Sequence, residues 1–180
     1  MHRLRTPLGD EILDLHAGDT VCLSGTIYTA RDEAHLRMQE EGIPFDPRGA
    51  VVYHCGPVIA DKKIIAAGPT TSARMNSLTK PILDAGVSGI IGKGGMSAEV
   101  AKQLKGRGVY FSFTGGCAVL AAMHMQLVDV YYPDLGMAEA IWEISVTDLP
   151  LIVGIDAHGA DLFSEVTKEA EKRYSELYSK

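Results

Sequence analysis

The sequence contains no long hydrophobic run, although 46% of its 180 residues are hydrophobic. A membrane-spanning helix needs about 18 or more consecutive apolar residues. No stretch of this chain approaches that length, so we expect no membrane span. The opening segment, Met1 to Pro7, carries no apolar stretch and predicts no signal peptide. The length and composition predict one globular domain over residues 1–180.

Positive charge is also scarce. The chain has 17 basic against 23 acidic residues and a formal net charge of −6. Lys and Arg are scattered, without the basic stripe that nucleic-acid-binding proteins usually carry. We therefore do not expect a nucleic acid as partner.

Cysteine is limited to three residues, Cys22, Cys55 and Cys117, with no CxxC pair and no zinc spacing. An odd cysteine number without a secretion signal is typical of reduced thiols in a cytoplasmic protein, which is the location we expect. From spacing alone, three cysteines neither support nor exclude a [4Fe–4S] cluster with one open iron. Cys117 follows two glycines at a predicted helix start. A thiolate would be stabilised there, but a small packing residue is favoured.

Strands and helices are predicted to alternate along the chain, which indicates the α/β class. The predicted strands are 21–28, 51–55, 63–67, 89–91, 109–113, 127–132, 140–146 and 151–155. The predicted helices begin near Thr29 (as N-cap), after the 70–72 loop, at Ser97, at Cys117 and after the 157–159 turn. The last helix carries an apolar stripe and two predicted i,i+4 ion pairs, Glu169–Arg173 and Glu176–Lys180.

Three loops each carry one cation beside backbone N–H groups at or near a helix start. The loops are 29–35, with Arg31; 68–75, with Arg74; and 92–95, with Lys93. Such loops bind anions, because the amides and the helix dipole favour negative charge. Three cations in one cleft would suit a substrate with two carboxylates, which arginine pairs in a bidentate manner.

These cations also have ordinary interpretations. Each can be a surface residue, and Arg31 can form a local contact with Glu33 or His35. The glycines around Lys93 match neither a phosphate-binding P-loop nor a dinucleotide fingerprint, because the required Gly, Ser/Thr and acidic positions are occupied by other residues.

Four stretches together resemble one known family. They are GDTVCLSGTIYTARDEAH, GPTTSARM, IGKGGM and GMAEAIWEISVTDLP. As a set and in this order, they resemble the β subunit of class I (iron–sulfur) fumarate hydratases and of the related L-tartrate dehydratases. In single-chain members this unit is the C-terminal domain. The resemblance runs from Leu4 to Leu162 and implies a swivelling β/β/α fold with a mixed sheet flanked by helices.

The resemblance also implies roles for individual residues. Those that match substrate-contacting positions are Arg31, Thr70, Thr71, Ser72, Ala73, Arg74 and Lys93. Thr70 matches the threonine proposed as catalytic base, and the three cations match the positions that hold the dicarboxylate. Asp32 and His35 belong to the first motif as auxiliary residues of undefined role.

A partner subunit follows from the same resemblance. It implies an α subunit that carries the [4Fe–4S] cluster on three of its own cysteines, so that this chain binds no metal. The active site would close between the two subunits, in an α₂β₂ assembly; in isolation this chain would form a homodimer. The expected reaction is the reversible hydration of fumarate to malate, a tricarboxylic acid cycle step, with the open iron acting as a Lewis acid on the leaving hydroxyl.

Several alternatives stay open on the sequence. A threonine hydroxyl is a poor base unless nearby positive charge stabilises its alkoxide or a second base relays the proton. His35 is the alternative base within this chain, because histidine titrates near neutral pH. Alternative functions are a tartrate or mesaconate-type dehydratase subunit, a non-catalytic carboxylate-binding module, and a thiol enzyme using Cys117.

Overall fold

The computed structural model describes residues 1–178 as a mixed β-sheet flanked by helices, with a separate two-stranded ribbon. The strands are β1 (His2–Arg5), β2 (Thr20–Thr29), β3 (Val51–Tyr53), β4 (Val58–Ala60), β5 (Lys63–Ala66), β6 (Gly89–Gly92), β7 (Val109–Ser112), β8 (Met125–Tyr131) and β9 (Ile141–Ile155). The helices are α1 (Asp32–Glu41), α2 (Thr79–Ala85), α3 (Ala98–Leu104), α4 (Ala118–Ala122) and α5 (Leu162–Tyr178). Short 3-10 helices cover Asp10–Asp14, Ser72–Leu78 and Pro133–Leu135. The predicted α/β class and the mixed sheet flanked by helices are confirmed.

The main sheet has the strand order β1-β2-β3-β6-β7-β9-β8, and an additional pairing of β2 with β9 closes five of these strands into a ring. Within the ring, β2, β3, β6 and β7 run parallel, and β9 is antiparallel to both of its ring neighbours. The carboxyl ends of parallel strands meet at one edge, where α/β proteins bind ligands. The segments that follow β2, β3 and β6 therefore emerge side by side.

Apolar side chains fill the inside of this ring, which explains why its strands read as hydrophobic runs. The largest fully buried side chains of this cluster include Tyr53, Phe111, Leu23 and Ile91, whereas Tyr110 packs in a separate cluster with α3. Burying such a side chain contributes about 1.5–3 kcal/mol. The packed ring therefore holds the loops at its edge in fixed positions.

Two predictions about the strands and helices are wrong. Residues 140–146 and 151–155 form one strand, β9, instead of two, because the chain passes Asp148 at a φ of 48° and continues pairing with β2 across a register shift. Thr29 does not cap α1; it ends β2, and Arg31 is the N-cap. The Thr29 hydroxyl instead accepts the Trp142 N–H at 2.9 Å.

The last helix, α5, has its apolar residues at helical spacing, but none of its residues is buried. Val166, Tyr174 and Leu177 are 60%, 65% and 73% exposed. The Glu169–Arg173 ion pair forms at 2.8 Å, whereas the predicted Glu176–Lys180 pair lies outside the described residues. Among residues 1–178, none of the helices has the length and apolarity that crossing a bilayer requires.

Candidate functional site

The first loop follows β2 and places Arg31 at the start of α1. Arg31 Nε lies 3.3 Å from a carboxylate oxygen of Glu139, without hydrogen-bond geometry. The other oxygen of Glu139 accepts the Glu33 N–H at 3.1 Å. The local partners expected for Arg31, Glu33 and His35, are therefore replaced by a carboxylate from the segment before β9. Glu139 thus accepts a hydrogen bond from a backbone N–H at the start of α1.

Gly56, just after β3, explains how the Arg31 side chain lies against the sheet edge. A Cβ atom at Gly56 would lie 2.8 Å from Arg31 Nη1 and 3.0 Å from its Cδ. Glycine therefore lets the guanidinium pass close to the backbone. About a quarter of the Arg31 side chain, 23%, stays exposed.

The second loop carries Thr70 and Arg74 and is joined to the first by a salt bridge. Arg74 Nη2 pairs with the Asp32 carboxylate, and its Nη1 contacts the Thr70 hydroxyl at 3.4 Å. Asp32 is the residue next to Arg31, so this pair brings two of the predicted cations to one place. It also puts positive charge beside the Thr70 hydroxyl.

Backbone hydrogen bonds join the second loop to the third. The Ser72 N–H donates to the Lys93 carbonyl at 3.1 Å, and the Lys93 N–H donates to the Thr70 carbonyl at 3.3 Å. The Thr70 N–H donates to the carbonyl of His54, which follows β3, at 2.7 Å. These bonds add residues 70–72 to the sheet edge as a short continuation next to β6. Thr70 and Lys93 are thereby held in register.

Lys93, on the third loop, differs from Arg31 and Arg74 in having no carboxylate partner among residues 1–178. It forms no ion pair with any residue in the described part of the chain, and its side chain runs past Gly115, whose Cβ would lie 3.5 Å from Lys93 Cδ. Gly94, with a φ of +72°, supplies the left-handed turn after it. The structure thus places all three predicted cations on loops that contact one another.

The other sequence-predicted residues divide by exposure. Thr71 and Ala73 are exposed on the second loop, whereas Ser72 and His35 are completely buried, at 0%. The Ser72 hydroxyl points inward, where it contacts His54 Nδ1 at 2.9 Å. Burial lowers the pKa of His35 to about 4, and the nearby negative charge of Asp32 only partly offsets this.

The cysteines do not fit a cluster on this chain. Cys22 and Cys55 are buried, and burial raises the pKa of the Cys55 thiol to about 12, so this thiol stays protonated at neutral pH. The Cys117 thiol packs at the start of α4 and donates to the Thr114 carbonyl at 2.7 Å. Within residues 1–178, no group of three His, Cys, Asp or Glu side chains could hold a metal ion.

Sequence reasoning missed three residues of this region: Glu139, His54 and Tyr110. Glu139 lies inside the stretch GMAEAIWEISVTDLP, which resembles the family, so this resemblance could have indicated that Glu139 belongs to the site. His54 and Tyr110 lie at the end of one apolar strand and inside another, where nothing in the residue pattern distinguishes a polar contact from a packing role. Only the fold shows that both side chains reach Ser72.

Comparisons with known proteins identify the family and the relatives of this chain. The family model described as "Fumarase C-terminus" matches residues 3–166. A protein of Methanocaldococcus jannaschii, provisionally named L(+)-tartrate dehydratase subunit beta, is 43% identical over 93% of this chain and 93% of its own length. The L(+)-tartrate dehydratase subunit beta of Escherichia coli K12 is 38% identical, over 94% and 90%.

A longer relative matches this chain over part of its length. A Geobacillus stearothermophilus protein, provisionally named class I fumarate hydratase, is 35% identical over 97% of this chain but only 36% of its own length. Because the family model covers nearly the whole chain, and the two relatives named subunit beta are above 30% identity and spanned almost end to end, this chain belongs to the fumarase C-terminus family.

Proposed function

We propose that this chain is the β subunit of an iron–sulfur hydro-lyase that adds water to a four-carbon dicarboxylate or removes it. The observation that carries the proposal is the joining of three cation-bearing loops. The Asp32–Arg74 salt bridge connects the first two loops, and the backbone bonds between Thr70 and Lys93 connect the last two. Relatives named as tartrate dehydratase and fumarate hydratase proteins support the reaction class.

Arg31, Arg74 and Lys93 would hold the two carboxylates, and the dicarboxylate would lie over Thr70. In the dehydration direction, a base removes the proton from the carbon beside one carboxylate, and negative charge builds on that carboxylate. Fixed cations stabilise this charge without reorganising, an effect worth about 3–4 kcal/mol of barrier for each donor.

We assign the removal of this proton to Thr70. Its hydroxyl lies 3.4 Å from the Arg74 guanidinium, and an adjacent positive charge favours an alkoxide over the neutral hydroxyl. His35 is less suited, because it is completely buried and its pKa is lowered to about 4 by that burial. Thr71 and Ala73 would contact the substrate from the same loop.

The charge of the site supports the need for a partner subunit. Three cations, Arg31, Arg74 and Lys93, face two carboxylates, Asp32 and Glu139, which leaves a formal charge of +1. A dicarboxylate carries a charge of −2, so this half-site does not neutralise it. We assign the remaining positive charge and the [4Fe–4S] cluster to an α subunit, in an α₂β₂ assembly, because the cysteines of this chain do not fit the cluster.

Fumarate, giving malate, is the substrate that the sequence analysis predicts. L-Tartrate is the second candidate, because the relatives with tartrate dehydratase names are 43% and 38% identical to this chain, above the 35% of the one named fumarate hydratase. Both are four-carbon diacids that three cations would hold in the same way.

The experiment is co-expression with the α subunit under anaerobic conditions, followed by assays with fumarate, malate, L-tartrate and mesaconate. We expect the complex to hydrate or dehydrate one of the four-carbon acids, and this chain alone to be colourless and inactive. A complex that binds dicarboxylates without turnover would show a binding module instead. Iron held by the isolated chain would contradict the assignment of the cluster to the partner.

A further inference from the structure

A hydrogen-bond chain of buried polar groups runs beneath the candidate site. It contacts the loop that carries Thr70 and the loop that carries Lys93. The Tyr110 hydroxyl lies 2.7 Å from the Gly94 carbonyl and 3.2 Å from the Ser72 hydroxyl, which lies 2.9 Å from His54 Nδ1. Tyr110, Ser72 and His54 are each 0% exposed. Gly94 belongs to the loop of Lys93, and Ser72 to the loop of Thr70.

The number of available protons fixes the direction of donation along this hydrogen-bond chain. The Gly94 carbonyl can only accept, so it takes the single proton of the Tyr110 hydroxyl at 2.7 Å. Tyr110 must then accept at its 3.2 Å contact, and the Ser72 hydroxyl is the donor there. With its only proton given to Tyr110, Ser72 accepts from His54, which therefore carries its proton on Nδ1.

The hydrogen-bond chain is fixed to the site through the backbone at its His54 end and at its middle, Ser72. The His54 carbonyl accepts the Thr70 N–H at 2.7 Å, and the Lys93 carbonyl accepts the Ser72 N–H at 3.1 Å. Gly92 allows the approach, because a Cβ atom there would lie only 1.7 Å from the Ser72 hydroxyl oxygen. The position of Thr70 relative to Lys93 therefore depends on these side chains as well as on the sheet.

We propose that Tyr110 and His54 are positioning residues, whose one-directional hydrogen-bond chain through Ser72 sets the Thr70 hydroxyl in line with the Lys93 ammonium. The inference rests on the proposed function, since it assigns these residues to the geometry of that site. Ser72, buried with its hydroxyl in the chain, acts as the link between the loops rather than as a substrate contact.

A matched pair of variants separates positioning from general stability. Tyr110→Phe removes only the hydroxyl that anchors the chain. Tyr53→Phe is the control, because Tyr53 is equally buried and also donates to a backbone carbonyl, that of Ala67, at 2.6 Å, without touching Ser72. Ser72→Ala is the second test variant, which breaks the chain at its middle.

The first measurement is NMR on the full chain and needs no activity. We expect His54 to be the Nδ1–H tautomer in the wild type and in Tyr53→Phe. In Tyr110→Phe, Ser72 can donate to His54 instead, so the Nε2–H tautomer should become populated. The Ser72 and Lys93 amides should then also exchange with solvent faster. Wild-type His54 found as Nε2–H, or amides that exchange at the same rate in Tyr110→Phe, would overturn the proposal.

The second measurement is steady-state kinetics of the complex with the α subunit. We expect Tyr110→Phe and Ser72→Ala to lower kcat about 10- to 100-fold, the loss typical of a misplacement near 1 Å, with KM changed less than about threefold. Tyr53→Phe should keep kcat within about twofold. Equal losses in both tyrosine variants, or none in either, would contradict a positioning role. A wild-type complex that turns over no diacid would instead refute the proposed function. The NMR result would then decide by itself whether the hydrogen-bond chain through Ser72 exists.

Discussion

At the scale of single residues, the neighbourhood of Thr70 decides whether a threonine can move a proton. The hydroxyl is not buried in an apolar pocket, which would disfavour its charged form. It lies beside the Arg74 guanidinium, at 3.4 Å, on a loop whose backbone is bonded to His54 and Lys93. Positive charge and a fixed position are the two features that an alkoxide base needs.

Replacing Thr70 tests this assignment directly. Thr70→Ala removes the hydroxyl but keeps the loop backbone, so kcat of the complex should fall about 100-fold or more while KM changes little, since the hydroxyl acts only in the transition state. Thr70→Ser restores a hydroxyl and should recover most of the rate. A kcat for Thr70→Ala within a few fold of the wild type would remove Thr70 from the proton-transfer role.

At the scale of elements, the loops at strand-to-helix junctions could be predicted from sequence because their chemistry is local. Gly68-Pro69 and Gly92 end two of the strands, and Arg74 and Lys93 follow those ends, whereas Arg31 follows its strand through Thr29 and Ala30. Their meeting at one edge could not be read locally, since it depends on β2, β3 and β6 being parallel neighbours. The resemblance supplied that step.

Elements were misread where local and long-range signals conflict. Asp148 and Pro150 are residues typical of turns, yet pairing with β2 carries β9 through both of them, with a bulge absorbing the positive φ at Asp148. The buried contacts of His54 and Tyr110 were missed for a related reason. A strand pattern tells which residues are buried, but not which buried polar groups meet.

The exposed apolar face of α5 gives a prediction about this element. Most helical stability in proteins comes from packing of an apolar face, and no residue of α5 is buried. In hydrogen exchange of the isolated chain, amides of residues 171–178 should exchange within about 10-fold of the rate of unstructured chain. Those of α3, whose Val100 and Leu104 are fully buried, should be far slower. Protection of residues 171–178 equal to that of α3, and growing with protein concentration, would show instead that a second copy covers α5.

At the scale of the whole molecule, two buried histidines couple folding to pH. Burial lowers the pKa of His35 to about 4 and the pKa of His54 well below its usual value. The unfolded chain therefore binds more protons than the native one once pH falls below about 6.5, and stability drops with decreasing pH. The loss from His35 stops growing near pH 4, where the native protein also takes up the proton.

The expected size of this effect can be checked by urea unfolding at pH 7.5 and pH 5.5. Each histidine should remove about 1.4 kcal/mol of unfolding free energy over this interval. His35→Gln should remove about half of the pH dependence. Unfolding free energies that are equal at the two pH values would contradict the neutral state of the buried pair.

The central claim about the whole molecule is that three loops combine their cations into one diacid-binding half-site. Arg74 offers the sharpest test, because the chain contains a matched control. Arg74 pairs with Asp32 between two loops of the site, and Arg48 pairs with Asp46 at 2.7 Å elsewhere, in a more exposed setting: 84% of the Arg48 side chain is exposed, against 46% for Arg74.

The most direct measurement is kcat/KM of the complex with the α subunit for its diacid substrate, with Arg74→Gln and Arg48→Gln compared in parallel. The account predicts a loss of about 100- to 1,000-fold for Arg74→Gln, as expected when a fixed donor to the developing charge is removed. It predicts less than about a twofold change for Arg48→Gln, because surface pairs contribute little. Equal values for the two variants would contradict the proposed half-site.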